Sequence, residues 1–269
     1  TYNGKPLKLN IEALDFQFSN DDWDISPHSY DISGTKKGSQ LSFSINRKGY
    51  LVIRFSKDQN FKKRLVIFIE EPEIIPEGEL VDISSVYELD KTGKVNETKK
   101  IQQALDDISG TDKILYFGEG VYKTSMLHIK SNSRIHLSKH ATIKADPEKV
   151  ENYLAPNKKG INRFIYIADA ENINVTGLGT FNGSGTEILG ITLPKVEDKK
   201  TKVRLLFILR SKNITFDGIL LKDAASWNTH IMGSENITFR NCKLMNNTMN
   251  DDYFGSLDGW DPDASRKVS

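Results

Sequence analysis

A short strand-like phrase recurs in the second half of this 269-residue chain, and it constrains the fold more than any other feature. Each copy starts with a charged residue and Asn, and then places Ile, and Val or Phe, at alternate positions. Copies occupy residues 171–177, 212–218 and 235–241, and residues 265–268 begin like another. The last two complete copies are offset by 236 − 213 = 23 residues. One strand phrase per repeat, with no room for paired helices, predicts a right-handed parallel β-helix.

The same phrase predicts what holds successive turns of the coil together. Its apolar residues are expected to point inward and to stack on their equivalents in the next turn. Asn172, Asn213 and Asn236 recur at one place and are predicted to form a ladder of side-chain hydrogen bonds at a corner between strands. Glycosylation of the nearby Asn-x-Thr sequons is the alternative. It ranks lower, because a β-helix corner favours Asn for structural reasons.

One helix is predicted, over residues 96–110, immediately before the long β region. Asn96 is expected to be its N-cap and Gly110 to end it. An apolar stripe recurs at helical spacing, so this amphipathic helix is expected to cover the open end of the strand stack. The stripe consists of Ile101, Ala104, Leu105 and Ile108.

Residues 1 to about 70 consist of short strand patterns separated by turns, which predicts a small β-sandwich. Residues 38–45 and 50–55 alternate around a turn and predict a hairpin. The acidic, proline-containing residues 70–79 predict a linker. The expected organisation is therefore an all-β chain, with a β-sandwich and its linker over residues 1–80 and an incomplete parallel β-helix over residues 81–269.

Two features of the sequence each allow a structural and a functional interpretation. Polar residues 144–164 and 185–204 interrupt the repeat and are predicted to be surface loops, with walls of a substrate cleft as the alternative. Aromatic residues near the N-terminus are predicted to lie in the core, with a sugar-binding platform as the alternative. These aromatic residues are Phe16, Phe18, Trp23 and Tyr30.

Composition excludes several classes of function. The net charge is +1 and shows no basic stripe, so no nucleic-acid partner is predicted. No apolar run approaches the roughly 18 residues of a membrane span. Cys242 is the single cysteine, so an internal disulfide is impossible. No cluster has metal-ligand spacing and no glycine-rich phosphate loop occurs, so neither a metal nor a cofactor is expected. The oligomeric state is left open.

Three motifs resemble one enzyme family. Residues 97–106 followed by 117–122 resemble the opening of the polygalacturonase-like β-helix hydrolases, glycoside hydrolase family 28. Residues 225–230 are similar to the family's Ser-Pro-x-Trp-x-x-His segment, without its proline. Residues 256–261 are similar to its Asn-Thr-Asp-Gly-x-Asp motif, with Ser-Leu replacing Asn-Thr. The resemblance covers roughly residues 82–269. A β-sandwich before the coil also resembles the related dextranase-type family 49.

This resemblance implies hydrolysis of a polysaccharide with inversion, by carboxyl groups roughly 6.5–9.5 Å apart with a water between them. By motif match, Asp258 is expected to be the water-activating base and Asp261 a supporting carboxylate or sugar ligand. Trp227, His230 and Trp260 are the expected substrate-binding residues. The resemblance also implies a secreted, periplasmic or cell-surface location.

The family's Asp-Asp pair, which supplies the general acid, is expected on the turn after this motif. The coil is therefore expected to be truncated at its C-terminus and to have little or no hydrolytic activity by itself. Asp251 and Asp252 precede the motif and are expected to lie in a solvated loop without the acid role.

Other readings of the same residues stay open. Trp227 and Trp260 could pack in the core, His230 could be a buried structural residue, and Asp258 could cap its own turn. A calcium-dependent β-helix lyase and a non-catalytic carbohydrate-binding or adhesive β-helix are the alternative functions, since a fold does not fix a function.

Overall fold

The structure is a computed structural model with side chains, and it describes residues 1–14, 23–54, 64–148, 153, 161–190, 202–246 and 257–269. Contacts within the chain divide it into two compact units, Thr1–Pro72 and Glu73–Ser269. Each unit has its own hydrophobic core. Four residues singled out from the sequence lie outside the described residues: Phe16, Phe18, Asp251 and Asp252.

The first unit is a β-sandwich, as predicted. Its strands are β1 Leu7–Glu12, β2 Asp24–Ser26, β3 Gly34–Lys37, β4 Gln40–Ile45, β5 Gly49–Arg54 and β6 Arg64–Ile69. They form two antiparallel sheets of three strands, in the orders β1-β4-β3 and β2-β5-β6. Leu41, Phe43, Leu51 and Ile53 form the buried centre of this unit, and Trp23 and Tyr30 pack against the same cluster.

The hairpin predicted for residues 38–45 and 50–55 is wrong. β4 pairs with β1 and β3, whereas β5 pairs with β2 and β6, so the two strands lie in different sheets. The tight turn falls earlier, where Gly38 with φ +60° joins β3 to β4. Alternating apolar residues face the core equally well in a hairpin and in a crossing between two sheets. The pattern therefore does not separate these two possibilities.

The second unit is a right-handed parallel β-helix. Its strands in chain order are β7 Leu80–Asp82, β8 Thr92–Asn96, β9 Ile114–Phe117, β10 Gly120–Thr124, β11 Leu127–His128, β12 Arg134–Leu137, β13 Ala141–Ala145, β14 Arg163–Ala168, β15 Glu171–Gly177, β16 Thr180–Asn182, β17 Arg204–Leu209, β18 Lys212–Asp217, β19 Leu220–Lys222, β20 Thr229–Met232, β21 Glu235–Arg240, β22 Lys243–Met245, β23 Pro262–Asp263 and β24 Arg266–Val268.

Three parallel sheets form the sides of this coil. Sheet A contains β7-β9-β12-β15-β18-β21-β24, sheet B contains β8-β10-β13-β16-β19-β22, and sheet C contains β11-β14-β17-β20-β23. The recurring phrase supplies β15, β18 and β21, which pair in register with Ile173, Ile214 and Ile237 stacked inside. Residues 265–268 supply the next strand of the same sheet, β24.

The predicted asparagine ladder is present and is longer than expected. The Nδ2 of Asn172, Asn213 and Asn236 each donates to the Oδ1 of the asparagine one turn earlier, at 3.0, 3.1 and 2.8 Å, and Asn132 is the first acceptor. All four have φ between 55° and 59°. Asn tolerates this left-handed conformation better than most residues, so one side chain satisfies both the corner's backbone and its hydrogen bonds.

The helices are α1 Ile83–Val86, α2 Thr98–Ile108 and α3 Gly185–Gly190. α2 is the predicted helix, and all four residues of its apolar stripe are buried. Asn96 lies one residue before the cap position, and its Oδ1 accepts the backbone N–H of Thr98 at 3.1 Å. α3 lies within the second interruption of the repeat. None of the helices in the described part of the chain is long and apolar enough to cross a membrane.

Part of the segment predicted as a linker belongs to the second unit. Glu73 accepts the backbone N–H groups of Lys139 at 3.2 Å and Leu178 at 3.3 Å. Its Oε1 lies 3.4 Å from Nε2 of His136, whose side chain is fully buried. Residues 73–79, here called the strap, are thus held at their first residue against sheet A.

Candidate active site

Sheet C carries a row of rings on the side that faces away from the interior of the coil. Tyr166 lies between two fully buried isoleucines, so its own side chain points outward. The ring centroids are 5.1 Å apart for His128 and Tyr166, 5.8 Å for Tyr166 and Phe207, and 5.0 Å for Phe207 and His230. These four side chains, one from each of β11, β14, β17 and β20, are called the ring row.

A second row runs beside it, formed by residues three positions earlier in the chain. Arg163 and Arg204 are register partners in β14 and β17. The backbone N–H after Arg204 donates to the carbonyl of Trp227 at 3.1 Å, and the N–H after Trp227 donates to the carbonyl of Asp258 at 2.9 Å. This places Arg204, Trp227 and Asp258 side by side on successive turns. Arg163, Arg204, Trp227 and Asp258 are called the charged row.

Asp261 continues the ring row on the turn that contains Asp258. The backbone N–H after His230 donates to the carbonyl of Asp261 at 3.0 Å, which puts these two residues side by side. The structure therefore brings together four of the five residues predicted from the sequence. Asp258 and Asp261 stand next to Trp227 and His230 at the same end of the two rows.

Two buried side chains from the preceding turn hold the backbone of this aspartate motif. The Nδ2 of Asn228 donates to the carbonyls of Leu257 at 3.2 Å and Asp258 at 3.1 Å. The Oγ1 of Thr229 donates to the carbonyl of Gly259 at 2.9 Å. Because both donors are fully buried, the course of the motif is determined by the turn before it.

Trp227 and His230 are in direct contact. Their ring centroids are 5.0 Å apart in a perpendicular arrangement. The guanidinium carbon of Arg204 lies 4.2 Å from the centroid of the Trp227 ring, a cation–π contact. His230 is 4% exposed, and its Nε2 is 3.6 Å from Oδ2 of Asp263. The indole is thus held between a cation and an imidazole, and it remains partly exposed.

The electrostatics of the site differ from those of ordinary surface groups. Burial raises the pKa of Asp261, Asp258 raises it further by its negative charge, and Arg204 opposes both. Burial lowers the pKa of His230, Arg204 lowers it further, and Asp263 opposes them. His230 therefore loses its proton more readily than a free imidazole, while the carboxyl of Asp261 retains its proton more readily than a free aspartic acid.

Trp260 is placed apart from the other predicted site residues. Its ring centroid is 4.5 Å from that of Phe239, which packs against the hydrophobic core of the coil and stacks on the buried Phe216. The indole is 41% exposed. The structure thus places Trp260 against the interior of the coil, while Trp227 faces outward from sheet C.

A family model gives independent evidence. The model of glycosyl hydrolases family 28 matches residues 116–269, more than half of the chain, and this stretch includes both rows on sheet C completely. This chain belongs to glycosyl hydrolases family 28. The predicted resemblance to this family is therefore confirmed, and so is the parallel β-helix of the second unit.

Three solved structures of polysaccharide-degrading enzymes have a similar fold. Endo-xylogalacturonan hydrolase from Aspergillus tubingensis is 20% identical with a TM-score of 0.56, covering 67% of this chain and 48% of that one. Polygalacturonase from Erwinia carotovora is 19% identical with a TM-score of 0.55, covering 74% and 56%. The exopolygalacturonase of Yersinia enterocolitica is 15% identical with a TM-score of 0.53, covering 91% and 58%.

The chain thus spans about half the length of these three enzymes. At such low identity the similarity concerns the fold. None of the proteins of curated function matches the sequence significantly.

Several residues of the site were not predicted from the sequence: His128, Arg163, Tyr166, Arg204, Phe207, Asn228 and Thr229. A signal for two of them was available in the repeat. Arg204 and Phe207 precede Trp227 and His230 by 227 − 204 = 23 residues, the same offset as between the asparagine phrases. Extending the repeat backward from Trp227 would have indicated that Arg204 shares its face. Within the described part of the chain, no group of three or more His, Cys, Asp or Glu side chains is arranged to hold a metal ion.

Proposed function

We propose that this protein hydrolyses glycosidic bonds of a polysaccharide on the outer face of sheet C, in the manner of polygalacturonases and with inversion. The register that sets Asp258 and Asp261 beside Trp227 and His230 supports this proposal most directly. An inverting glycosidase needs carboxyl groups that face one bound sugar, with a water between them and the anomeric carbon. Paired carboxylates beside the partly exposed ring of Trp227 suit that chemistry.

In this proposal Asp258 removes a proton from the attacking water. Its side chain is exposed, so both water and a sugar can reach it. Asp261 is the supporting carboxylate. Burial and the neighbouring Asp258 raise its pKa, so it can donate a hydrogen bond to water or to a sugar hydroxyl. The general acid is not assigned to any residue that the structure describes.

Trp227 and His230 form one side of the sugar site. A partly exposed indole offers an apolar surface to the C–H groups of a sugar ring, and its N–H can reach a hydroxyl. Because Arg204 covers one face of Trp227, the sugar contacts the other face or the edge. Trp260 is not included in the site, since its ring packs on Phe239.

The test is release of reducing sugar from a polysaccharide panel that includes pectate and dextran, by this chain and by any longer product that its gene encodes. We expect Asp258→Asn to lower kcat/KM at least about 100-fold, the usual contribution of a general base. Asp112→Asn is the matched control, because Asp112 is an exposed carboxylate shortly before β9 of sheet A and belongs to neither row on sheet C. NMR of the first product formed should show the inverted anomer.

Three outcomes would overturn the proposal. Products with unsaturated ends and a requirement for calcium would indicate a lyase. Binding without turnover, unaffected by Asp258→Asn, would indicate a carbohydrate-binding or adhesive protein. A retained anomeric configuration would contradict the inverting mechanism. The proposed substrate also implies action outside the cytoplasm, as a secreted, periplasmic or cell-surface protein, which fractionation of the source cells would test.

A further inference from the structure

One position inside the coil departs from the packing of its neighbours. The strands of sheet C place a column of inward side chains in register, one from each turn. The first three members of the column are buried and aliphatic, and the fourth is a fully buried threonine: Leu127, Ile165, Leu206 and Thr229. Burying a hydroxyl group among aliphatic side chains is unfavourable unless the hydroxyl is hydrogen-bonded. The bonds of the Thr229 hydroxyl therefore explain why this column does not continue with an aliphatic residue.

This hydroxyl joins the two ends of the segment between the aspartates of the proposed site. The Oγ1 of Thr229 donates to the carbonyl of Gly259 at 2.9 Å and accepts the backbone N–H of Asp261 at 3.3 Å. Gly259 directly follows Asp258 in the chain. A single buried oxygen atom is thus bonded to the backbone beside one carboxylate and to the backbone of the other.

The two residues between the aspartates are also held from the interior of the coil. A Cβ atom at position 259 would lie 2.9 Å from Cδ1 of Leu244, so Gly259 lets the chain lie close to the core. The ring of Trp260 packs against that of Phe239, with centroids 4.5 Å apart. The course of the segment is therefore determined by contacts inside the coil, while its two carboxylates belong to the outer face.

We propose that Thr229 is a positioning residue that fixes the separation of the Asp258 and Asp261 carboxyl groups. What the two groups do rests on the proposed function, but their spacing rests on the hydrogen bonds of Thr229. Without the hydroxyl, the N–H of Asp261 loses this acceptor, and two carboxylates of like charge are free to move apart. A displacement of about 1 Å in a catalytic group can cost about 100-fold in rate.

The first experiment measures the spacing without any substrate. NMR follows the side-chain carboxyl signal of Asp261 as the pH is changed, in the presence and absence of the Asp258→Asn substitution. The charge of Asp258 raises the pKa of Asp261, so Asp258→Asn should lower that pKa. Because electrostatic coupling weakens with distance, the lowering should be smaller by about a third or more when Thr229→Val is also present.

Two further variants distinguish spacing from the general loss of a buried hydroxyl. Thr229→Ser keeps the hydroxyl and should restore the wild-type coupling, whereas Thr229→Val keeps only the shape. Ser234→Ala is the matched control, because Ser234 is buried on the same turn of the coil and its hydroxyl has the same kinds of partner. It donates to the carbonyl of Met232 at 3.0 Å and accepts the N–H of Ser211 at 3.1 Å. Neither partner lies between the aspartates, so we expect the wild-type coupling.

The second experiment measures turnover in the hydrolysis assay. We expect Thr229→Val to lower kcat about 10- to 100-fold and to leave KM nearly unchanged, because the carboxyl groups act in bond cleavage while Trp227 still binds the sugar. Thr229→Ser should recover most of this loss. Ser234→Ala should retain the kcat and KM of the wild type, whatever its effect on the free energy of unfolding.

Three results would overturn the inference. They are an undiminished lowering of the Asp261 pKa in Thr229→Val, an equal loss of coupling in Ser234→Ala, and weakened coupling with an unchanged kcat. The hydrolase is tested separately. Weakened coupling in Thr229→Val, without release of reducing sugar from any polymer, would sink the proposed hydrolase and leave the spacing role in place. Full turnover by Thr229→Val with undiminished coupling would sink the spacing role and leave the hydrolase in place.

Discussion

At the scale of single residues, Asp261 shows how a functional group can reduce stability. Its pKa is raised in the folded chain, first by burial and then by Asp258. A carboxyl whose folded pKa exceeds its unfolded value favours the folded state while it is protonated. As the pH rises through the unfolded and then the folded pKa, this contribution is lost, and the ionised group disfavours folding. At neutral pH the ionised form of Asp261 therefore costs free energy.

We expect Asp261→Asn to increase the free energy of unfolding at pH 7 by about 0.5–1 kcal/mol, as stabilising changes at strained functional sites commonly do. The gain should disappear below the ordinary pKa of aspartic acid, where the wild-type group is neutral too. Urea denaturation from pH 3.5 to 8 measures this, with Asp112→Asn as the exposed control. A less stable variant at pH 7 would show that attraction to Arg204 outweighs burial.

At the scale of elements, the asparagine ladder determines how successive strands of sheet A register on each other. Asn213 is an inner member, since it donates to Asn172 and accepts from Asn236. We expect Asn213→Ala to cost about 2–3 kcal/mol, because it removes two hydrogen bonds and forces alanine to φ 55°. Asn213→Gly should cost about 1 kcal/mol less, since glycine adopts that backbone without strain. Equal costs, measured by urea denaturation, would contradict a backbone contribution.

Elements defined by local periodicity could be predicted from the sequence, and those defined by long-range pairing could not. The stripe of α2 and the asparagine phrases repeat at fixed spacing, so their structure follows from nearby residues. The pairing of β4 with β1 and β3 depends on residues far apart in the chain, and the predicted hairpin was wrong for that reason. On sheet C, Trp227 and Asp258 were found through motifs, whereas Arg163 and Tyr166 belong to no motif.

Trp260 shows that long-range pairing also limits what can be predicted for a residue within a motif. It was an expected substrate-binding residue together with Trp227, with packing in the core as the alternative. In the structure it stands beside Thr229, a fully buried residue, because the N–H of Thr229 donates to the carbonyl of Gly259 at 3.1 Å. The inward or outward direction of a side chain in a coil depends on its register with the previous turn, and one strand alone does not contain that information.

At the scale of the whole molecule, the strap determines where the second unit begins. Burial alone would raise the pKa of Glu73, but His136 and the backbone N–H groups of Lys139 and Leu178 outweigh it and hold the pKa below its usual value. A carboxyl of this kind stabilises the fold above its unfolded pKa, and the stabilisation is lost as pH falls through the lower folded pKa. The second unit therefore depends on residues before the sequence-based boundary at residue 80.

We expect a fragment of residues 73–269 to fold alone, because its core is its own. A fragment of residues 81–269 should be about 2–3 kcal/mol less stable at pH 7, since it leaves the buried His136 and two backbone N–H groups without Glu73. The difference should shrink as pH falls below about 4.5, the ordinary pKa of the Glu73 carboxyl. Urea denaturation of both fragments at pH 7 and pH 3.5 decides this, with Glu73→Gln in the longer fragment as the matched control for the charge. If both fragments unfold at the same urea concentration at pH 7, the strap contributes nothing and the unit begins at residue 81.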